Sequence, residues 1–172
     1  MQQVKLIEPT VVLEIEHKQM LDEWLQTGER LVPITLQYNT SNFHDYIARL
    51  DNCKKGIGLP AAFVPNSTFW LVDGNNKILG TTDIRHRLTE SLYIEGGHIG
   101  YGIRPSERKK GYATKILELV LIEAIKLKIT KALITCDKDN IASKKVILKN
   151  GGVFYKANLL DGIEKLSFWI DL

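Results

Sequence analysis

The stretch from Gly97 to Cys136 constrains this chain most. Gly97 to Arg104 reads as a strand, which Pro105 ends. Tyr112 to Lys128 reads as a helix: Ile116, Leu119, Val120, Ala124 and Leu127 recur at helical spacing, interrupted by Glu123. Ala132 to Cys136 is a continuous apolar run of strand length, as a buried strand requires. Two strands joined through a helix lie parallel and cross over with a right hand. The unit therefore predicts a mixed α/β sheet with helices on its faces.

The remaining elements fit around it. Val4 to Ile7 reads as a short strand, Leu13 to Gln26 as a helix with Leu13, Met20, Leu21, Trp24 and Leu25 on one face, stopping at Gly28. Ser41 or Asn42 caps a second helix carrying Phe43, Tyr46, Ile47 and Leu50. Cys53 to Ser67 holds two glycines and two prolines and reads as a long loop, a candidate substrate wall. Thr68 to Val72 and Lys77 to Leu88 form a hairpin across Asp73-Gly74-Asn75-Asn76. Ser143 to Asn150 is a short helix closed by Gly151 and Gly152, and a last strand pair spans Val153 to Tyr155 and Lys165 to Ile170 across Asp161-Gly162.

With 172 residues, the chain is expected to form a single domain over 1–172. Hydrophobic residues are 44% and charged residues 25%, which excludes a disordered, collagen-like or disulfide-scaffold chain. A formal net charge of +3 is too small to argue for nucleic-acid binding. Cys53 and Cys136 show no paired spacing, which suits a reduced, cytoplasmic setting. Met1 to Glu8 lacks a secretory apolar core, and no run is long enough to span a bilayer, so no membrane partner is expected.

Chemistry concentrates where the strand meets the helix. Between Ile103 and Thr114 the chain runs through Arg108, Lys109, Lys110 and Gly111 into the helix start. A helix N-terminus presents unpaired N–H groups and partial positive charge, so it holds anions. Gly111 lets a ligand approach the backbone, and the basic residues add charge suited to a pyrophosphate. A Gly-Lys-Ser/Thr phosphate loop and a G-x-G-x-x-G fingerprint are both absent. Gly100 and Gly102 upstream point to a bulge or to close backbone approach.

Arg108-Lys109-Lys110-Gly111-Tyr112-Ala113 resembles the R-x-x-G-x-G/A motif of the GNAT superfamily of N-acetyltransferases. Tyr101-Gly102-Ile103-Arg104-Pro105 is similar to that family's bulged fourth strand. Asn140-Ile141-Ala142-Ser143 and Asn150-Gly151-Gly152 are similar to its segment after the fifth strand. Gly97 to Tyr101 and Thr135 to Asn140 also resemble a bacterial group of acetyltransferases. The resemblance implies a mostly antiparallel central sheet with a splayed parallel strand pair and flanking helices. It implies acetyl-CoA as cosubstrate and an amine acceptor, with no metal, and allows a homodimer. Backbone groups of Tyr101 and Ile103 would pair with the pantetheine arm. The N–H groups of Arg108, Lys109, Lys110, Gly111, Tyr112, Ala113 and Thr114 would cradle the pyrophosphate, with Asn140 and Ser143 beside the arm. Many members carry a general-acid tyrosine where this chain has Ile147.

Attack on a thioester needs a neutral amine, so a general base is expected. His98 is the first candidate, because its ordinary pKa lies near the working range. A histidine packed on a sheet face is the competing reading. Glu95 is the second, at the start of the strand, where the family often places its base. Tyr101 could act as acid or line the tunnel. Asp83 and Arg85 share one strand face, with His86 on the other, as possible substrate contacts or solvated charges. Cys136 reads as a buried structural thiol, because no base is visible beside it. The missing tyrosine leaves open a non-catalytic CoA-binding sensor or partner module as the alternative.

Overall fold

The computed structural model describes residues 3–172. Met1 and Gln2, at the head of the segment tested for a leader, lie outside the described residues. Seven strands form two sheets of antiparallel pairs. The first has the order β1 (Lys5–Ile7), β2 (Asn66–Val72), β3 (Ile78–Arg85), β4 (Ile99–Ile103). The second has the order β5 (Lys131–Asp137), β7 (Ile163–Asp171), β6 (Val153–Leu160).

Helices α1 (Glu14–Gln26) and α2 (Phe43–Lys55) cover one face of the first sheet. Their Met20, Trp24, Phe43, Tyr46 and Leu50 pack on Trp70, Val72 and Ile78. Helix α4 (Tyr112–Lys126) covers the other face, where Ile116 and Tyr112 meet Leu71, Leu79 and Ile103. The far side of α4, with α5 (Ile141–Lys149), packs on Ile134, Phe168 and Ile170 of the second sheet. One helix thus holds both sheets.

Capping explains the boundaries. The Asn42 side chain accepts from His44 and Asp45 N–H and starts α2, which ends at Gly56 with φ 74. The Asp73 carboxylate takes N–H groups of Asn75 and Lys77, closing the β2–β3 turn. A short helix, α3 (Glu90–Ile94), capped by Thr89, stands where no helix was expected. Five residues are too few to show a helical period.

Two expectations need correction. The loop expected from Cys53 is shorter, because α2 runs to Lys55 and β2 begins at Asn66. Strand β4 pairs with β3 in unbroken register from Ile99 to Ile103, with no bulge. Its glycines serve the other reading, a close approach of neighbouring chain. A Cβ at Gly102 would stand 2.3 Å from Trp24 and 2.4 Å from the Val32 carbonyl, and one at Gly100 2.8 Å from Asp83 Oδ1. Both positions lie pressed against α1, the segment after it and β3. Among the described residues, no helix is long and apolar enough to cross a membrane.

Candidate active site

Just before β4 the backbone meets β5. His98 N–H donates to the Leu133 carbonyl at 2.7 Å, and Leu133 N–H donates to His98 Nδ1 at 2.9 Å. A Cβ at Gly97 would lie 2.3 Å from that carbonyl, so the approach needs glycine there. Past this contact β4 and β5 share no ladder, and the parallel pair splays. Arg85 N–H donates to His98 C=O and Arg104 N–H to Leu79 C=O. Even-numbered β4 residues therefore turn their backbone groups to β3. The odd-numbered Ile99, Tyr101 and Ile103 turn theirs to the gap.

The gap opens into a cavity of about 1100 Å³ that reaches the start of α4. Gly111, with φ 87, is the N-cap there, and no side chain caps the helix. Its first amides are left for a ligand. Lys109, Gly111, Ala113 and Thr114 line this end. The basic loop is less free than its sequence suggests. Arg108 holds both Glu29 oxygens, at 2.9 and 2.7 Å, and its Nε donates to the Ile103 carbonyl. Lys110 pairs with Glu107, which also holds Lys77 at 2.6 Å. Burial pushes the Glu107 carboxyl up, but hydrogen bonds from both lysines bring it below its ordinary range. Among the described residues of this loop, Lys109 is the basic side chain that forms no ion pair.

Across the gap, Tyr101 Oη meets Ser143 Oγ at 2.9 Å. Burial pushes the Tyr101 phenol up to about 12, the Ser143 hydrogen bond opposing. The pair therefore keeps its protons at neutral pH. Asn140 caps α5 by accepting from Ser143 N–H, which uses its oxygen and leaves its amide N–H groups. Cys136 lines the cavity, its thiol pushed up to about 11 by burial and then by Asp137. It is no thiolate. Ile147 is fully buried and forms part of the core.

The far wall comes from dispersed segments. Val32 and Pro33, between α1 and α2, and Phe63 and Val64 from the loop before β2 supply apolar surface. Asp83 and Arg85 of β3 reach this cavity, whereas His86 turns away to Ser67 Oγ at 2.9 Å. Glu95 lines the cavity beside Lys165 Nζ, at 2.9 Å, and Arg30, at 3.6 Å. Lys165, nearly buried on β7, also holds Asp137 at 2.6 Å. It was missed in the sequence, because nothing local marks a strand lysine as buried.

His98 does not line the cavity. Its ring serves the β4–β5 junction, and burial, then Arg85, pushes its pKa down to about 4.

An uncapped helix N-terminus, a splayed strand whose edge faces the gap and a hydroxyl pair across it thus surround one cavity. Residues 12–153 match the family model described as an acetyltransferase (GNAT) domain, and the chain belongs to that family. It is an acetyl-CoA-dependent N-acetyltransferase. No curated protein matches its sequence. Several solved structures share the fold. The microcin self-immunity acetyltransferase MccE, in complex with acetyl-CoA and AMP, matches with TM-score 0.69 at 16% identity, over 99% of this chain and 93% of its own. The ribosomal-protein α-N-acetyltransferase RimL, in complex with coenzyme A, matches with TM-score 0.70 at 14% identity, over 98% and 94%. The dodecameric spermidine N-acetyltransferase of Vibrio cholerae matches with TM-score 0.65 at 13% identity, over 98% and 94%.

Proposed function

We propose that acetyl-CoA lies along the gap edge of β4 and that an amine, entering from the α1–α2 side, attacks its thioester directly. The carrying observation is the backbone edge at Tyr101 and Ile103, which faces the gap and leads to the uncapped start of α4. The pantetheine arm would extend the sheet there. The N–H groups of Gly111 to Thr114, with Lys109, would hold the pyrophosphate. Arg108 and Lys110 shape this seat through Glu29 and Glu107 rather than as mobile charge. The free amide of Asn140 would meet the arm.

When bound, the thioester supplies an activated acetyl group and a sulfur that leaves. Tyr101, backed by Ser143, would give that sulfur its proton, replacing the acid absent at Ile147. This favours an enzyme over a sensor. Val153, Phe154 and Tyr155 at the exposed β6 edge are each more than half exposed, which supports a homodimer.

The test is coenzyme A release with a panel of primary amines, beside thermal unfolding with acetyl-CoA. Stabilisation with release supports the reading; no stabilisation at saturating acetyl-CoA would overturn the seat along β4 and α4.

A further inference from the structure

The cavity carboxylates are unequal. Glu29 is held bidentate by Arg108, Glu107 by two lysines, and Glu95 and Asp137 by Lys165. Asp83 has no such partner. Its Oδ1 accepts Gly100 N–H at 3.2 Å, and its nearest cation, Arg85 Nη2, stands 3.7 Å from Oδ2. The other arm of Arg85, Nη1, donates to the Gly96 and Gly97 carbonyls. A carboxylate has about four acceptor sites, so the Gly100 N–H and its own N–H leave this one spare capacity. Its side chain is only 1% exposed.

An acceptor without a partner lines the same cavity. Asn66 Oδ1 is buried without a hydrogen bond, and its orientation is set because Nδ2 donates to the Val64 carbonyl at 3.2 Å. Asn66 on β2 pairs in register with Arg85, two residues from Asp83 on the same sheet face. Buried acceptors without donors are costly. One such acceptor beside a carboxylate with spare capacity, in a cavity walled by Pro33, Phe63 and Val64, calls for a ligand bearing N–H groups on an apolar stem.

Resting on the acetyl-transfer reading above, we propose that Asp83 takes the proton of the attacking amine, through one water, and that Asn66 Oδ1 holds a second amine hydrogen. The acceptor enters as a neutral amine, its ammonium proton left in solvent. As the N–C bond forms, Asp83 receives one nitrogen proton. As the C–S bond breaks, sulfur takes the Tyr101 proton. The proton on Asp83 then returns through water to Tyr101, and one amide and one thiol are released. The Gly100 N–H bond ties this base to the strand that seats the thioester. Burial raises the carboxyl's affinity for a proton, with Arg85 opposing and the Tyr38 phenol the other titratable neighbour.

The experiment compares Asp83→Asn, Asn66→Ala and Glu95→Gln with wild type, using coenzyme A release from acetyl-CoA with spermidine, a peptide α-amine and n-butylamine. Asp83→Asn should lower kcat by about 10²–10⁴-fold, keep the acetyl-CoA thermal shift and remove the acid limb of the rate profile. Asn66→Ala should raise KM for the amine about tenfold with kcat little changed. A loss under fivefold in Asp83→Asn, or a larger loss in Glu95→Gln, would overturn the proposal. Carbon-13 NMR of the wild-type carboxyls is an independent arm. Asp83 should titrate above the ordinary aspartate value of about 3.9, and titration at or below that value would also overturn it. A wild type that shows no acetyl-CoA stabilisation would sink the acetyl-transfer reading, and this base with it.

Discussion

The half of the cavity proposed to hold the cofactor and the half proposed to hold the acceptor are built from different materials. The first is backbone: the odd-numbered edge of β4 and the amides opening α4, joined by one short loop. The second is side chains from β2, β3, the segment after α1 and the loop before β2. A backbone seat is local in sequence and tolerates many side chains, whereas a side-chain seat depends on contacts between distant segments. The difference teaches where a change should be felt, as binding on one side and as rate or stability on the other.

The largest effect is expected at the joint. Arg104, at the end of β4, is 5% exposed and reaches Glu23 at 2.7 Å and Glu16 at 3.1 Å on α1. It ties the roof of the acceptor half to the cofactor strand. Arg104→Met leaves two carboxylates facing a buried apolar stem. Both glutamates are about 30% exposed and can turn to water, so the cost falls at the low end for a broken buried pair, about 3 kcal/mol. Urea unfolding measures it. A loss under about 1 kcal/mol would show that the halves are held together elsewhere.

Next comes the backbone seat. Gly111→Glu forces a side chain into φ 87 and sets a negative charge at the α4 N-terminus. Acetyl-CoA at a hundred times its Kd should add about 2.7 kcal/mol to wild-type stability. The variant should lose that shift, equivalent to about a hundredfold weaker binding. A retained shift would break the comparison, because the seat would then not be the backbone at that turn.

That difference also explains what was legible. The Arg108 to Ala113 run and the strand–helix–strand order identify the cofactor half, since both are contiguous. Asp83, Asn66 and Lys165 are scattered over three strands. Alternation places Asp83 and Arg85 on one face, but no local pattern says which charge will find a close partner. The β4 glycines were read as a bulge or a close backbone approach, and it is Trp24 and Val32, far off in sequence, that approach at Gly102. His98 was read from its intrinsic pKa, which its place between two strands overrides.

His98 gives a sharper test. Its Nδ1 satisfies the Leu133 N–H, so His98→Ala leaves a buried donor unpaired at a cost of about 2 kcal/mol. Activity of the folded fraction should stay within about tenfold, below the 10²–10⁴-fold expected for a lost base. Thermal unfolding and coenzyme A release measured on one preparation separate the two. A large loss of kcat without loss of stability would return His98 to the chemistry.

The smallest effect concerns the footing of the acceptor half. His17 on α1 is fully buried among Phe43, Tyr46 and Trp70, at ring distances of 5.3, 4.9 and 5.2 Å, and neither ring nitrogen has a partner. Burial pushes its pKa down to about 4. The unfolded chain, near 6.5, therefore binds the proton first as pH falls. Stability tied to the neutral ring is present above pH 6.5 and is lost from there down to about 4, roughly 2 kcal/mol of it by pH 5. His17→Leu removes two unsatisfied nitrogens at similar volume, so it should gain about 1 kcal/mol at pH 7 and lose less between pH 7 and pH 5. Urea unfolding at both pH values reads both effects. A variant less stable at pH 7 with an unchanged acid limb would mean that the ring makes polar contacts with water, and that the acceptor half, like its floor at Asp83 and Asn66, rests on hydrogen bonds rather than apolar packing.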